Sequence, residues 1–209
     1  MESRTHFEEG AYEKGHRLIA GVDEAGRGPL AGSVVAAACV LPKGLILEGV
    51  DDSKKLPPGK REELYQVITE HPDILYGIGI VNSEQIDSMN ILQASLHAMN
   101  LAVENLPEVP DYLLIDGNHL PPTRIAALAV IKGDSRSQSI GAASILAKYT
   151  RDALMLQLHE EWPMYGFDKH KGYGTKAHVG AIHMYGPCPI HRRSFEPIKS
   201  MVLVDATCS

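Results

Sequence analysis

The sequence lacks the features that mark secreted, disulfide-stabilised and membrane-spanning proteins. Its 209 residues include only three cysteines, Cys39, Cys188 and Cys208, which are odd in number and far apart. This cysteine usage indicates a reducing, cytoplasmic setting rather than a secreted scaffold. The longest uninterrupted apolar run, residues 34–41, is far shorter than the ~20 residues that span a bilayer. We therefore predict a protein without a transmembrane segment.

An apolar stretch is also missing from the first sixteen residues, which carry charges from Glu2 to His16. A secretory signal needs such a stretch, so we interpret residues 1–16 as a flexible lead-in. The remaining composition is ordinary, with 44% hydrophobic residues and a formal net charge of −6. A chain of this length buries roughly 70% of its unfolded surface, so it folds without disulfides or a structural metal.

Basic residues concentrate towards the C-terminus although the chain as a whole is acidic. Residues 164–199 contain six lysines and arginines against two acids, together with four histidines. A local basic patch, rather than total charge, governs affinity for phosphates. This segment is therefore a candidate nucleic-acid surface, although a solvated face with scattered charges has the same composition.

Apolar runs alternate with amphipathic segments along the chain. Five runs have the character of buried strands: residues 18–22, 34–41, 74–81, 112–115 and 127–131. Helical patterns occupy residues 59–70, 92–106, 137–161, 175–184 and, as a short piece, 197–204. Strands separated by helices predict an α/β fold with a mixed central sheet flanked by helices. We expect one domain of residues 17–163, and a basic, helical C-terminal segment of residues 164–209 packed on it.

The longest predicted helix, residues 137–161, carries an apolar stripe that includes Ile145 and Leu146. Lys148, Arg151 and Asp152 fall outside this stripe. Since the stripe of an amphipathic helix faces the core, we expect these three charged side chains to face elsewhere.

Four acidic residues fall where predicted strands end. Asp23 and Glu24 close the first strand, Asp116 closes the fourth, and Asp134 lies between the last strand and the longest helix. Functional side chains gather at strand ends in open α/β sheets. Simpler interpretations stand beside this one, because Asp116 followed by glycine is typical of a turn and Asp134 of a helix N-cap.

Carboxylates that converge at one edge of a sheet need compensation. Two like charges ~4 Å apart repel by about 4 kcal/mol at an effective dielectric constant near 20. Several such pairs compare with the roughly 5 to 15 kcal/mol of net stability of a whole domain. Carboxylate oxygens without cysteine or histidine partners favour Mg²⁺ or Mn²⁺ over zinc. Paired ions of this kind activate a water and stabilise the leaving oxygen in phosphodiester hydrolysis.

A glycine-rich segment, residues 26–32, follows the first acidic pair directly. Its spacing is not that of a dinucleotide-binding loop, because the third glycine comes one residue late and a strand follows instead of a helix. Glycines let the backbone approach a ligand closely, and Arg27, between Gly26 and Gly28, presents a fork of donors. We expect this segment to bind a sugar hydroxyl or a phosphate.

Ten ordered stretches of the chain resemble motifs of the ribonuclease HII family, the type 2 ribonucleases H of bacteria. The first is DEAGRGPLAG at residues 23–32. The others follow in the order of that family: DSKKL (52–56), NIL (90–92), LIDGN (114–118), KGD (132–134), AASILAK (142–148), TRD (150–152), YGF (165–167), HKGYGT (170–175) and HRRSF (191–195).

The resemblance implies a ribonuclease H-like fold and a metal-dependent endonuclease that cuts the RNA strand of RNA–DNA hybrids. It also implies cutting on the 5′ side of a single ribonucleotide embedded in duplex DNA, which leaves a 3′-hydroxyl and a 5′-phosphate. Such chemistry serves ribonucleotide removal and primer removal in DNA repair and replication. By position, the metal-binding catalytic acids would be Asp23, Glu24, Asp116 and Asp134, holding Mg²⁺ or Mn²⁺.

The same resemblance assigns residues to substrate binding. Gly26, Arg27 and Gly28 would contact the 2′-hydroxyl, the group by which proteins distinguish RNA from DNA. Tyr173 would pack on the deoxyribose that follows the ribonucleotide. Contacts to backbone phosphates are expected from Lys54, Lys55, His170, Lys171, Arg192 and Arg193. The expected partners are thus an RNA–DNA hybrid or a ribonucleotide-containing DNA duplex, bound by a monomer away from any membrane.

The C-terminal histidines and Cys188 do not predict a zinc site. His178 and His183 are five residues apart, which is one residue too many for ligands on one helical face.

Overall fold

A five-stranded mixed sheet forms the centre of the structure, a computed structural model that describes residues 4–50, 53 and 56–201. The strands are β1 (Ile19–Ala25), β2 (Val34–Val40), β3 (Leu75–Val81), β4 (Tyr112–Asp116) and β5 (Ala126–Val130). They lie in the order β3-β2-β1-β4-β5. β1 pairs antiparallel with β2, and β2 with β3, whereas β1–β4 and β4–β5 are parallel. The predicted α/β fold with a mixed sheet is confirmed.

Helices cover both faces of this sheet. They are α1 (His6–Glu13), α2 (Pro58–Glu70), α3 (Ser83–Met89), α4 (Ile91–Glu104), α5 (Gln138–Glu161), α6 (Phe167–His170) and α7 (Lys176–Tyr185). α4 packs across β1, β2 and β3 on one face, while α5 packs on β1 and β2 on the other, with α2 beside it. Residues 198–201 are helical, and the rest of the helix predicted over 197–204 lies outside the described residues. Within the described ranges, none of the helices combines the length and apolarity of a membrane span.

The central strand β2 is buried along its whole length. Val34, Ala36 and Ala38 face the α4 side, whereas Ala37 and Cys39 face the α5 side. A strand covered on both faces needs a continuous apolar run rather than an alternating pattern. On β1, Gly21 permits the closest helix contact, because an added Cβ would lie 2.1 Å from the backbone carbon of Ser139. The start of α5 therefore rests directly on β1.

Helix α1 occupies the region that the sequence predicted to be a flexible lead-in. Glu8 is 8% exposed, and its Oε1 accepts hydrogen bonds from Ser137 Oγ (2.6 Å), Ser139 Oγ (2.7 Å) and Ser139 N (3.0 Å). Phe7 and Ala11 pack in the apolar cluster that joins α1 to β4 and α5. The lead-in prediction was wrong for this helix, because the contacts that fix it come from residues far along the chain.

The C-terminal segment packs on the end of α5 and on the glycine-rich segment. Tyr165, Phe167 and Ile182 form one apolar cluster with Leu30 and Met155. A backbone bridge pairs Ala31 with His191. Residues after position 163 are thus held against the loop that follows β1.

Candidate active site

The parallel pairing of β1 and β4 brings acidic residues to one edge of the sheet. Val22 lies opposite Ile115, so Asp23 and Asp116 follow at the same level. Successive side chains of a strand point to opposite faces. Asp23 turns towards α5, whereas Glu24 lines a cavity on the α4 side together with Asp116.

Asp23 is the most constrained of the four acids. It is 4% exposed, its Oδ1 accepts a hydrogen bond from the Glu24 amide at 2.7 Å, and the Ser144 hydroxyl lies near its carboxylate. Burial raises the pKa of Asp23 well above its usual range, and the neighbouring charges of Glu24 and Asp116 raise it further. The Ser144 hydroxyl also lies 2.8 Å from Ser53 Oγ.

Asp116 joins the end of β4 to the turn before α5. Its Oδ1 accepts hydrogen bonds from the amides of Gly133 (2.7 Å) and Asp134 (3.4 Å). Asp134 is 8% exposed and lies in the 3₁₀ turn Gly133–Ser135. The N-cap of α5 is Ser137, whose side chain accepts from the Ile140 amide. Asp134 is therefore not the N-cap of α5. Its backbone amide lies directly beside the Asp116 carboxylate.

The donor chemistry of these acids fits a divalent cation. Carboxylate oxygens are the ligands that Mg²⁺ and Mn²⁺ prefer, and burial together with the charges of Glu24 and Asp116 raises the pKa of Asp23. A dication counteracts this rise by favouring the charged forms. In the part of the chain that the structure describes, no three His, Cys, Asp or Glu side chains already stand in a metal-binding arrangement. The inference that these acids suit a divalent cation therefore rests on the closeness of the four acidic residues and on their carboxylate chemistry.

A polar cavity opens beside the acids on the α4 side. Glu24, Asp116, Arg27 and His119 line it together with Ser95. Arg27 Nη1 donates to Glu24 Oε1 at 3.2 Å, while half of the Arg27 side chain is exposed.

Sequence reasoning missed three serines at this site, Ser53, Ser95 and Ser144. Ser95 and Ser144 are buried on helices. A serine within the apolar face of an amphipathic helix was the available signal, since a buried hydroxyl needs a hydrogen-bond partner.

The glycine-rich segment and Tyr173 adjoin each other. An added Cβ at Gly28 would lie 3.7 Å from Tyr173 Cε1, and the Tyr173 ring is 43% exposed. The structure therefore brings together Arg27, Gly28 and Tyr173, which the resemblance assigned to neighbouring parts of a nucleotide. Gly26 lies deeper, with a φ of +99° that favours glycine.

The basic residues expected at phosphates differ in their surroundings. Arg193 is exposed. His170 is half-buried with both ring nitrogens engaged, by the Tyr165 carbonyl and the Gly172 amide. Lys171 donates to the Asp168 carbonyl. Lys54 and Lys55 lie outside the described residues.

Two arginines are buried in the structure, and one of them departs from the sequence predictions. Arg192 is fully buried, and its guanidinium donates to backbone carbonyls of the glycine-rich segment, so it is not placed to meet a phosphate. Arg151 is 1% exposed, although it lies outside the apolar stripe of α5. The prediction of a phosphate contact was wrong for Arg192, and both arginines are buried for one reason: the C-terminal segment and the glycine-rich segment cover these side chains and supply polar acceptors.

The histidines near Cys188 form a hydrogen-bonded chain. His178 Nε2 lies 3.0 Å from His191 Nε2, and the Cys188 amide donates to His191 Nδ1 at 3.0 Å. His178 Nδ1 lies 2.9 Å from the Tyr173 carbonyl oxygen. These ring nitrogens bond to each other and to the backbone.

Comparisons with known proteins identify the family and the fold. The ribonuclease HII family model matches residues 20–198. Ribonuclease HII of Chlamydia caviae is 56% identical over 200 residues, covering 96% of this chain and 94% of that protein. The crystal structure of ribonuclease H2 from Pyrococcus horikoshii aligns with a TM-score of 0.73 at 29% identity, covering 88% of this chain and 97% of that one. Bst-RNase HIII shares the fold at 20% identity, with a TM-score of 0.66 over 93% of this chain and 72% of its own.

Proposed function

The chain belongs to the ribonuclease HII family, whose members are endonucleases that act on RNA paired with DNA, and from this premise we propose its substrate and mechanism. It cuts the RNA strand of RNA–DNA hybrids and also cuts duplex DNA on the 5′ side of a single embedded ribonucleotide. The observation that supports this proposal is the parallel alignment of Asp23 with Asp116, directly beside the loop that carries Arg27 and Gly28.

The proposed ligands of Mg²⁺ or Mn²⁺ are Asp23, Glu24, Asp116 and Asp134. When bound, two such ions supply an activated water and stabilise the departing 3′-oxygen. The donor set consists of carboxylates, which supports this choice of metal. Bst-RNase HIII, which shares the fold, has been solved in complex with Mn²⁺.

The protein's own residues orient these groups. The Glu24 amide holds one oxygen of the Asp23 carboxylate, and the Gly133 amide holds one oxygen of Asp116. Each hydrogen bond fixes the position of one carboxylate oxygen. A site whose ligands are already oriented has less reorganisation to undergo during the reaction.

Recognition of the ribonucleotide falls to the loop and the aromatic ring. Arg27 and Gly28 bind the 2′-hydroxyl region, the only chemical difference between a ribonucleotide and its DNA neighbours apart from the thymine methyl group. The exposed Tyr173 ring packs on the following deoxyribose, where a 2′-hydroxyl would crowd it. Arg193, His170, Lys171, Lys54 and Lys55 are the proposed contacts to phosphates, which supply affinity rather than sequence information.

The test compares two substrates in the presence of Mg²⁺: duplex DNA with one ribonucleotide, and a long RNA–DNA hybrid. We expect the wild-type protein to cut both, to leave a 3′-hydroxyl at the 5′ side of the single ribonucleotide, and to stop in EDTA. Tyr173→Ala should slow cutting of the single-ribonucleotide duplex about tenfold, the equivalent of ~1.4 kcal/mol in the barrier, and slow hybrid cutting less.

Tyr185→Ala is the matched control, because Tyr185 is a similarly exposed tyrosine at the end of α7. It should leave both rates unchanged. Cutting of the hybrid alone by the wild-type protein would refute the single-ribonucleotide activity, and equal losses on both substrates in Tyr173→Ala would refute the role of the ring.

A further inference from the structure

Two buried arginines lie beneath the glycine-rich segment. Arg192 is 0% exposed and Arg151 is 1% exposed. Within the described part of the chain, neither guanidinium forms a salt bridge. Buried arginine is unusual without a carboxylate partner, so the groups that surround these two side chains indicate what the arginines are for.

Both guanidinium groups donate to backbone carbonyls of one loop, residues 26–33. Arg192 donates from Nη2 to Gly26 O (2.5 Å), from Nη1 to Arg27 O (2.9 Å) and from Nε to Gly32 O (3.0 Å). Arg151 donates from Nε to Ser33 O (3.0 Å) and from Nη2 to Ala31 O (3.3 Å). The two side chains thus hold the loop by its carbonyls at both ends.

These contacts fix the direction of the loop amides. In a planar trans peptide the N–H points opposite to the preceding carbonyl. Because the carbonyls of Gly26 and Arg27 point inward to Arg192, the N–H groups of Arg27 and Gly28 point away from it. Those are the amides of the residues that we place at the 2′-hydroxyl.

Gly26 packs so closely against Arg151 that no side chain fits at this position. An added Cβ would lie 2.1 Å from Arg151 Nε and 2.5 Å from Arg151 Cδ. The space that a side chain would fill is therefore occupied by Arg151, and the φ of +99° further favours glycine. The glycine and the buried arginine form one structural unit.

Arg151 also contacts the segment that carries Tyr173. Arg151 Nη2 donates to Lys171 O at 3.1 Å, and the Arg151 guanidinium carbon lies 6.0 Å from the centre of the Tyr173 ring. The Leu30 amide donates to Gly172 O at 2.8 Å. Arg151 therefore contacts both the loop and the segment that carries the Tyr173 ring, and it fixes their positions relative to each other.

We propose that Arg151 and Arg192 are positioning residues that set the loop amides against the Tyr173 ring and so determine selectivity for an isolated ribonucleotide. This inference rests on the proposed function. Lysine cannot replace either arginine, because a single ammonium nitrogen cannot span carbonyls on separate peptides as a planar guanidinium does. A single ribonucleotide offers one productive register, so a displaced loop is costly there. A run of ribonucleotides offers many registers and tolerates the displacement.

The experiment measures kcat and KM of Arg192→Lys and Arg151→Lys on the single-ribonucleotide duplex and on a long hybrid, with Mg²⁺. We expect kcat on the single-ribonucleotide duplex to fall about 100-fold, the effect of a displacement of ~1 Å. The KM should change little, because phosphate contacts supply the affinity. The ratio of the two rates should therefore shift at least tenfold towards the hybrid.

Two control variants separate positioning from general stability. Ile182→Val removes a methyl group from the apolar cluster beside the arginines, so it lowers the melting temperature without touching the loop carbonyls and should leave the ratio unchanged. Arg124→Lys makes the same chemical change at an exposed arginine and should change neither stability nor rate.

Each outcome of this experiment either supports or overturns the positioning role of the two arginines. An unchanged ratio in both arginine variants, with or without a loss of melting temperature, overturns the positioning role. If Arg192→Lys does not fold, Arg151→Lys carries the same comparison, since the Arg151 guanidinium donates both to the loop and to the segment that carries Tyr173. A wild-type protein that leaves the single-ribonucleotide duplex intact refutes the proposed function and this inference together, whereas wild-type cutting with unchanged ratios in the variants refutes the inference alone.

Discussion

At Asp23, the stability of the fold and the proposed role as a metal ligand make opposite demands on one side chain. The carboxylate is buried beside Glu24 and Asp116, and both burial and these charges raise its pKa. A charged group in this position destabilises the fold at neutral pH unless a cation compensates it. Strain of this kind is common at active sites, where removing a functional group often increases stability.

Asp23→Asn should therefore stabilise the protein by about 0.5 to 2 kcal/mol at pH 7 in EDTA while abolishing cleavage. The amide oxygen of asparagine still accepts the hydrogen bond from the Glu24 amide, so packing is preserved. Thermal unfolding and the Mg²⁺-dependent cleavage assay measure the two effects.

The control for Asp23→Asn is Asp73→Asn, which removes the same charge at an exposed position and should change stability by no more than about 0.5 kcal/mol. A lower melting temperature for Asp23→Asn, or undiminished cleavage, would contradict the proposed arrangement of charges.

At the scale of elements, α1 stabilises the start of α5 and hence the turn that carries Asp134. Glu8 accepts three hydrogen bonds from Ser137 and Ser139, which belong to the first turn of α5 and its N-cap. A carboxylate near a helix N-terminus also interacts favourably with the helix dipole. Helix α1, in the region that the sequence analysis interpreted as a flexible lead-in, thus helps to hold the candidate site in place.

Glu8→Ala should lower the free energy of unfolding by about 1.5 to 3 kcal/mol, the usual contribution of hydrogen bonds to a charged group. It leaves two buried hydroxyls and one amide without their acceptor. Chemical denaturation measures the loss. Glu9→Ala, on the exposed side of the same helix, should cost less than about 0.5 kcal/mol; equal effects of the two variants would show that α1 is not anchored through Glu8.

For the whole molecule, the buried histidine pair links folding to pH. His178 Nδ1 faces the Tyr173 carbonyl and His191 Nδ1 faces the Cys188 amide. One tautomer set satisfies both of these contacts and the contact between the two Nε2 atoms: His191 Nε2–H donates to His178 Nε2, and His178 Nδ1–H donates to the Tyr173 carbonyl. Burial lowers the pKa of each histidine to about 4, because both fit their sites only as neutral rings.

Stability should consequently fall as the pH drops from about 6.5, the histidine pKa of an unfolded chain, towards 4. Between about pH 6.5 and 4, the histidines bind protons in the unfolded state but not in the folded state, so the free energy of unfolding increases with pH. Asp23 acts in the opposite direction because its folded pKa is raised. Denaturant titrations at several pH values are therefore best done in the Asp23→Asn variant.

Replacing an exposed histidine, as in His97→Gln, should leave this pH dependence unchanged. A stability that stays constant between pH 6.5 and 5 would show that the buried pair is not held neutral.

The sequence by itself determined the alternation of strands and helices, the acids at the ends of β1 and β4, and the family. These follow from local periodicity and from motifs that are contiguous in the chain. Helix α3, missed in the prediction, also had a local signal, because Asn82 and Gln85 form a capping box.

Only the tertiary structure decided that Glu8 anchors α1, that Asp23 and Glu24 serve opposite faces of the sheet, and that Arg151 and Arg192 lie buried under the glycine-rich loop. Each of these depends on partners distant in sequence. A charged residue in a sequence pattern predicts exposure, and only a fold that encloses it with backbone acceptors makes burial favourable.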